Sequence, residues 1–321
     1  MDYSEIIVLI PFGIDYSDIL DGRPKRVLRW YYYTNIFITK PQLVVALGPE
    51  TYGHGMVREM TDGIIIVGYG TRKGNLEDVL KSQADKIRKM TDYEVGIAYF
   101  RVSSPTIPET VKEMVEKGVE RIAVVPYFVA DGTLTHELIP EKIGLGRNVY
   151  IGEVESSGKK SMVYLTRAFN FSTTVTDIIC DRILDAGGSK SMGVLLLGHG
   201  SRDPTLMNRA VVERNAERLV ARGFKHTAFA FNEFCEPSIK DALTELVSQG
   251  VNDIVCVPLF IAMGLHLGEE IPEQIGIPPF SDGGMIKFDG KDIRIRYTRP
   301  LEDERRLTGL VLSKAEEFLA N

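Results

Sequence analysis

Cysteine is scarce in this chain: Cys180, Cys235 and Cys256 are the three among 321 residues. Their spacing matches neither a disulfide framework nor a metal-binding pair, which favours a reducing cytoplasm. The sequence also lacks an apolar run long enough to span a bilayer. Its first residues, Met1-Asp-Tyr-Ser-Glu5, have neither the basic start nor the apolar stretch of a signal peptide. We therefore expect a cytoplasmic protein with no membrane partner.

An excess of basic residues is also missing. The chain has 38 Lys and Arg against 44 Asp and Glu, a formal net charge of −6. A nucleic-acid-binding protein usually carries a basic excess, so the composition argues against nucleic acid as a partner. The hydrophobic content of 44% and charged content of 26% are ordinary for a globular protein. The length is sufficient for two domains, each with its own core.

The first part of the chain has no regular pattern. Apolar, strand-like runs at Ile6–Ile10, Val27–Tyr33 and Leu43–Leu47 are separated by Gly and Pro. They are consistent with an added subdomain or with extra strands of a sheet. We predict that residues 1–61 form an N-terminal extension, and the sequence does not indicate its role.

From Gly63 onward, strand and helix patterns alternate. Buried strands are predicted at Gly63–Val67, Val95–Tyr99 and Ile122–Val125, because these runs are short and apolar. The segments Leu76–Met90 and Ile107–Glu116 have apolar residues near helical spacing. Alternation of this kind predicts an α/β fold in which helices cover both faces of a parallel sheet.

The same order of elements occurs twice. The run Pro105–Pro126 recurs as Pro237–Pro258, 132 residues later, and the hairpin-like pairs Gly158-Lys159 and Gly290-Lys291 keep that offset. We therefore predict two similar α/β, parallel-sheet halves, residues 62–186 and 187–321, whose carboxyl edges face one cleft. Because both halves lie on one chain, a monomer can form the cleft and oligomerisation is optional.

Three polar residues in the second half follow the ends of predicted strands. They are His199 in a Gly-His-Gly turn, Glu233 and His266. The carboxyl ends of parallel strands lie at one edge of a sheet, so these side chains are expected to converge. Two imidazoles and a carboxylate suit a divalent transition metal and leave a coordination position open. Taken singly, each residue could instead be a hydrogen-bonded rim residue or a surface ion-pair partner.

The corresponding residues of the first half are Tyr69, Arg101 and Leu134. A protonated phenol is a poor ligand, a guanidinium repels a cation, and Leu has no donor atom. All three donor residues are absent together from the first half. This argues against a chance placement of the three donors in the second half. We expect the first half to contact a ligand's surface and to hold no metal.

Three segments of the second half, Gly198–Pro204, Ala230–Ser238 and Val257–Pro272, resemble the class II tetrapyrrole chelatases, in particular the sirohydrochlorin cobaltochelatases (CbiX-like). The resemblance covers the chain from about residue 62 to its end, in two copies. It implies two flavodoxin-like (chelatase-like) halves around a macrocycle cleft, and ATP-independent insertion of a divalent metal into sirohydrochlorin, for cobalamin or a related tetrapyrrole. The metal, Co²⁺ or alternatively Ni²⁺ or Fe²⁺, is a substrate, and no permanently bound cofactor is implied. His199 and His266 would handle the metal, with Glu233 as their carboxylate partner.

Substrate-binding residues are expected among polar groups near the two glycine turns. Because sirohydrochlorin is a polycarboxylate, Arg72, Arg202 and Ser201 are candidates, and Arg101 could pair with a carboxylate from across the cleft. A surface ion pair is an alternative for Arg101. Two other functions remain open: a tetrapyrrole- or metal-binding protein without turnover, and a phosphate-binding protein that uses Gly198–Ser201. The second is disfavoured because the run lacks the Lys of a P-loop.

Overall fold

The computed structural model describes residues 60–202 and 207–320. The apolar runs predicted at Ile6–Ile10, Val27–Tyr33 and Leu43–Leu47, and with them nearly all of the predicted extension, lie outside the described residues. In the described part of the chain, no helix has the length and apolar character needed to cross a membrane.

The first half is built on a five-stranded sheet with the strand order β2-β1-β3-β5-β4. A π-helical turn at Leu134–Leu138 leads directly into the third helix. The strands are β1 Asp62–Gly68, β2 Glu94–Tyr99, β3 Arg121–Pro126, β4 Ile151–Ser156 and β5 Lys159–Leu165, and the helices are α1 Leu76–Met90, α2 Ile107–Lys117, α3 Ile139–Ile143 and α4 Thr173–Asp185.

The second half repeats this arrangement with the order β7-β6-β8-β10-β9. A π-helical turn again precedes the short helix, at His266–Glu270. The strands are β6 Gly193–Gly198, β7 His226–Phe231, β8 Asp253–Pro258, β9 Gly283–Phe288 and β10 Lys291–Tyr297, and the helices are α5 Met207–Ala221, α6 Ile239–Ser248, α7 Ile271–Ile275 and α8 Arg305–Leu319. The predicted pair of similar α/β halves is confirmed by this repetition.

Each otherwise parallel sheet has an antiparallel strand at one edge, where the hairpin-like pairs Gly158-Lys159 and Gly290-Lys291 lie. β4 pairs antiparallel with β5, and β9 pairs antiparallel with β10. The two residues that join β4 to β5, Ser157 and Gly158, have φ of 53° and 75°. A two-residue turn with positive φ at both positions reverses the chain immediately, so its strands can only pair antiparallel.

The central strands are buried on both faces. Ile64, Ile65, Ile66 and Val67 of β1 have no accessible surface, and the same holds for the run Val194–Leu197 of β6. Continuous apolar runs of this kind are typical of sheets that carry helices on both sides. The two runs therefore form the centres of the two sheets.

The last helix of each half packs on the other half. α4 contacts α5 and β8, whereas α8 contacts α1 and β3. The rings of Tyr164 on β5 and Phe318 on α8 are 5.1 Å apart between centroids. On the other side, the Thr176 hydroxyl on α4 donates to Asn215 Oδ1 on α5, at 2.7 Å. This exchange of helices gives the halves a shared core cluster, beside a separate cluster in each half. The boundary near residue 186 remains a sequence-based prediction.

A buried polar network also links the halves. Gln83 on α1 is fully buried. Its Nε2 donates to the Tyr127 hydroxyl at 2.7 Å, and its Oε1 accepts from the Thr308 hydroxyl on α8 at 2.5 Å. The Tyr127 hydroxyl in turn donates to the Glu302 carbonyl at 2.7 Å. Buried polar groups are stable only when paired, so this network fixes the position of α8 on the first half.

The carboxyl edges of the two sheets meet in their loops. The amide of Asn75, after β1, donates to the Met263 carbonyl, after β8, at 3.3 Å. The Met263 amide donates back to Asn75 Oδ1 at 2.9 Å. The rim that follows the strands of the first half therefore lies against the corresponding rim of the second half, next to the turn that begins at His266.

Candidate metal site

The loops after β6 and β7 are held together by their backbones. The Asn232 amide donates to the Gly198 carbonyl at 2.9 Å, and the Glu233 amide donates to the His199 carbonyl at 3.1 Å. Gly200 has φ of 94°, and a Cβ at this position would collide with the Glu233 carbonyl oxygen. Only glycine permits this approach, which brings Glu233 beside His199.

The three predicted residues come together at this edge. One ligand atom from each of His199, Glu233 and His266 can be chosen so that all lie within 4.8 Å of one another. The two imidazole rings are 5.0 Å apart between centroids and nearly perpendicular, at 85°. In the described part of the chain, no other group of His, Cys, Asp and Glu side chains has this geometry. We call these three residues the triad.

The hydrogen bond of His199 determines which of its nitrogens is free. Its Nδ1 lies 3.2 Å from the Gly200 carbonyl oxygen, an acceptor that requires a proton on Nδ1. In the neutral imidazole, Nε2 then presents a lone pair, 3.5 Å from Glu233 Oε1. Two acceptor atoms that face each other without a proton between them are stabilised by a cation.

Glu270 orients the other imidazole, and the sequence analysis did not identify it. Its Oε2 is 2.6 Å from His266 Nδ1, four residues earlier on the π-helical turn. The hydrogen bond from His266 holds the pKa of Glu270 below its usual range, so the carboxylate stays charged. With Nδ1 acting as donor, Nε2 of His266 is available to a metal. The residue at the equivalent place in the first half is Leu138, and that difference is a signal the internal comparison contained.

Asn232 is a second residue that the sequence analysis missed. Its Nδ2 donates to Glu270 Oε2 at 3.5 Å, and its Oδ1 accepts from Gln274 Nε2 at 2.8 Å. Its counterpart in the first half is Phe100. Asn232 thus joins the His266 turn to helix α7, and the same internal comparison could have found it.

The triad is accessible to solvent. The side chains of His199 and Glu233 are 40% and 36% exposed, and that of His266 is 41% exposed. Phe234 and Phe260 flank His199, with ring centroids 6.1 and 6.0 Å from the imidazole. A half-exposed donor set beside aromatic rings can exchange an ion and still contact a flat apolar ligand.

The sequence matches a known protein family twice. The sequence model of the CbiX family matches residues 63–186 and again residues 193–318. The chain belongs to the CbiX family. Both copies of the family's fold are present, and the predicted resemblance to these chelatases is confirmed.

Individual relatives agree with this membership. A protein named sirohydrochlorin cobaltochelatase from Methanococcoides burtonii is 34% identical over 132 residues, which are 41% of this chain and 99% of the relative. SirB from Bacillus subtilis, solved with Fe³⁺, has a TM-score of 0.64 at 19% identity, with 80% of this chain and 95% of SirB covered. SirB from Bacillus subtilis subspecies spizizenii, in complex with cobalt, has a TM-score of 0.60 at 18% identity and the same coverage. The two structures establish similarity of fold.

The CbiX fold of the first half keeps the loop geometry without the donors. Gly70 has φ of 94°, and a Cβ there would collide with the Arg101 carbonyl oxygen, as at Gly200. The Arg101 amide donates to the Tyr69 carbonyl at 2.8 Å. Arg101 therefore occupies the structural position of Glu233.

The residues predicted to bind substrate lie on these rims, and their role stays a prediction. The Arg202 guanidinium lies over the Phe234 ring, 4.7 Å from its centroid, and is thereby next to His199. Ser201 is half-buried, and Arg72 is exposed. Arg101 lies over the Phe100 ring at 5.3 Å.

Proposed function

We propose that this protein inserts a divalent metal ion into sirohydrochlorin without ATP, with Co²⁺ as the first candidate ion. The observation that carries the proposal is the convergence of two imidazoles and a carboxylate within 4.8 Å at the edge of one sheet. The curated relative at 34% identity, named sirohydrochlorin cobaltochelatase, supports the choice of macrocycle and metal.

The triad acts first as a metal acceptor. A hydrated ion exchanges water for Nε2 of His199 and His266 and an oxygen of Glu233. Metal–nitrogen bonds of about 2.0–2.1 Å place ligand atoms roughly 3.3 Å apart, so side chains spread over as much as 4.8 Å move together when the ion binds. Three protein ligands leave positions at which the macrocycle nitrogens replace the remaining water.

Insertion also requires proton removal. Two pyrrole N–H protons leave as one doubly charged ion enters, so the charge of the macrocycle core is unchanged. As the ion moves to the macrocycle, the Nε2 lone pairs and the Glu233 carboxylate become free to accept these protons. His199 and Glu233 are suited to share one proton, because their facing atoms are 3.5 Å apart.

Iron or nickel insertion into the same macrocycle is the second candidate. Nitrogen and carboxylate donors accept cobalt, nickel and iron, and selectivity among such ions often follows availability. One structural relative holds Fe³⁺ and another holds cobalt. A protein that binds the macrocycle or metal without turnover is the alternative that the assay below excludes.

The test is the initial rate of metallation of sirohydrochlorin, followed by absorbance under anaerobic conditions with Co²⁺, Ni²⁺ and Fe²⁺ in turn. His199→Ala and His266→Ala are expected to lower the rate by on the order of 10²-fold or more, because each removes a ligand and a proton acceptor. Tyr69→Phe, at the equivalent position of the first half, is the matched control and should have a mild effect. A wild-type rate no higher than the uncatalysed rate with all three ions would refute the proposal.

A further inference from the structure

The positions of the first half that correspond to Glu233 and its neighbours carry positive charge. Arg101 replaces Glu233, and Lys142 on α3 replaces Gln274 on α7. Between them, Phe100 replaces Asn232. The first half thus has two cations and an aromatic ring where the second half has the carboxylate of the triad and two neighbouring amides.

The two cations are arranged around one ring. The Arg101 guanidinium carbon is 5.3 Å from the Phe100 ring centroid, and Lys142 Nζ is 5.1 Å from it. Phe100 is 5% exposed, whereas Arg101 and Lys142 are both exposed. A buried ring that attracts both cations restricts them to one patch of surface.

Neither cation has an acidic partner of its own. Across residues 60–202 and 207–320, no carboxylate forms an ion pair with Arg101 or Lys142, although 22 ion pairs involve other residues. Two exposed, unpaired cations that each lie within 5.3 Å of one ring centroid can bind anionic groups, and the planar guanidinium matches a carboxylate in particular.

The position of this patch connects it to the triad. The Arg101 backbone hydrogen-bonds to Tyr69 on the rim of the first half, and that rim contacts the opposite rim through Asn75 and Met263. The cations and the triad therefore lie on two rims that meet at this contact. On the triad side, Glu233 and Glu270 would repel a polyanion.

From this arrangement we infer that Arg101 and Lys142 form a carboxylate clamp, which binds the acidic side chains of the macrocycle and turns its pyrrole nitrogens toward the triad. The inference rests on the proposed function, because it takes the macrocycle to be the polycarboxylate sirohydrochlorin. The first half then positions the substrate, and the second half provides the metal ligands and the proton acceptors.

The test compares Arg101→Gln, Lys142→Gln and the double variant with wild type. The probe is metal-free sirohydrochlorin, and binding is measured by fluorescence titration at low and high salt. Each single substitution should raise Kd by about tenfold at low salt, because one charge-assisted hydrogen bond is lost. The difference should shrink at high salt, and the fully esterified macrocycle should bind all variants equally.

Arg294→Gln is the matched control. Arg294 is exposed and lies on β10, where its backbone is in register with Asp253 at the amino end of β8, away from the rims. Its replacement should leave Kd for sirohydrochlorin unchanged, and all variants should bind Co²⁺ alone as wild type does. In the metallation assay, the clamp variants should show a raised KM.

The outcomes separate the two proposals. If wild type binds and metallates sirohydrochlorin but the clamp variants match Arg294→Gln, the clamp is refuted and the proposed function stands. If wild type neither binds nor metallates sirohydrochlorin, the proposed function and the clamp both fail.

Discussion

Replacing Glu270 tests how far one carboxylate controls the metal affinity of the triad. Its Oε2 accepts a 2.6 Å hydrogen bond from His266 Nδ1, which orients the ring and leaves Nε2 free. The variant Glu270→Leu copies the residue found at Leu138 in the first half and removes the acceptor. Glu270→Gln keeps an acceptor oxygen but loses the charge.

The expected magnitude follows from the exposure of the pair. A hydrogen bond to a charged group contributes about 1.5–3 kcal/mol. The side chains of His266 and Glu270 are 41% and 49% exposed. Solvent screening reduces the contribution to about 1.4 kcal/mol or less, which corresponds to about tenfold in affinity. We therefore expect Glu270→Leu to weaken Co²⁺ binding about tenfold and Glu270→Gln to weaken it by roughly threefold.

The affinity for Co²⁺ is measured by isothermal titration calorimetry of the full chain near neutral pH, without macrocycle. Glu269→Gln is the control, because it removes the same charge from the same turn and Glu269 has no hydrogen bond to His266. Equal weakening by Glu269→Gln and Glu270→Gln would show that net charge, and not orientation of His266, determines the affinity. Wild-type affinity in Glu270→Leu would refute the reasoning outright.

Three further predictions concern the framework around the site. Gly200→Ala should abolish Co²⁺ binding in the same titration, because its Cβ meets the Glu233 carbonyl oxygen at φ of 94°. Tyr127→Phe should lower the free energy of unfolding by about 1–3 kcal/mol in urea titration, because the Glu302 carbonyl loses its donor and Gln83 Nε2 loses one of its two acceptors. Asp303→Asn should lower it by about 0.5–1 kcal/mol near neutral pH. Lys86 and Ser82 hold the pKa of Asp303 below its usual range, so this difference should disappear as the pH falls through that lowered pKa.

The first two of these predictions have a control within the chain. Gly250 has φ of 84° with nothing within 4 Å of an added Cβ, so Gly250→Ala reports backbone strain alone and should keep metal affinity. Tyr164→Phe removes a hydroxyl with no hydrogen bond among the described residues and should stay within about 0.5 kcal/mol of wild type. A stability difference for Asp303→Asn that persists into strong acid would contradict the assigned ion pair with Lys86.

Much of the fold could be predicted from local patterns. The unbroken apolar runs of β1 and β6 predict that both strands are buried on both faces. The repeat at an offset of 132 residues predicts two halves with the same fold. The antiparallel edge strands could have been recognised from the two-residue turns at Gly158 and Gly290, because turn geometry is a local property.

The members of the triad were predictable because the two halves of the chain can be compared position by position. His199, Glu233 and His266 follow strand ends in one half, and Tyr69, Arg101 and Leu134 stand at those places in the other. The same comparison of the two halves could have identified Glu270, but a carboxylate on a polar helix face resembles an ordinary solvated residue. Its contact with His266 depends on the π-helical turn, which the spacing of apolar residues does not reveal.

The sequence by itself determined the order of strands and helices, the repeat, and the edge of the sheet at which polar residues gather. Each of these depends on residues close together in the chain or on the two halves being alike. Only the tertiary structure decided that α4 and α8 exchange halves and that Gln83 joins α1 to α8. An amphipathic helix shows which face it buries but not which sheet it covers, because that choice depends on contacts between residues distant in the chain, such as Thr176 with Asn215 and Gln83 with Thr308.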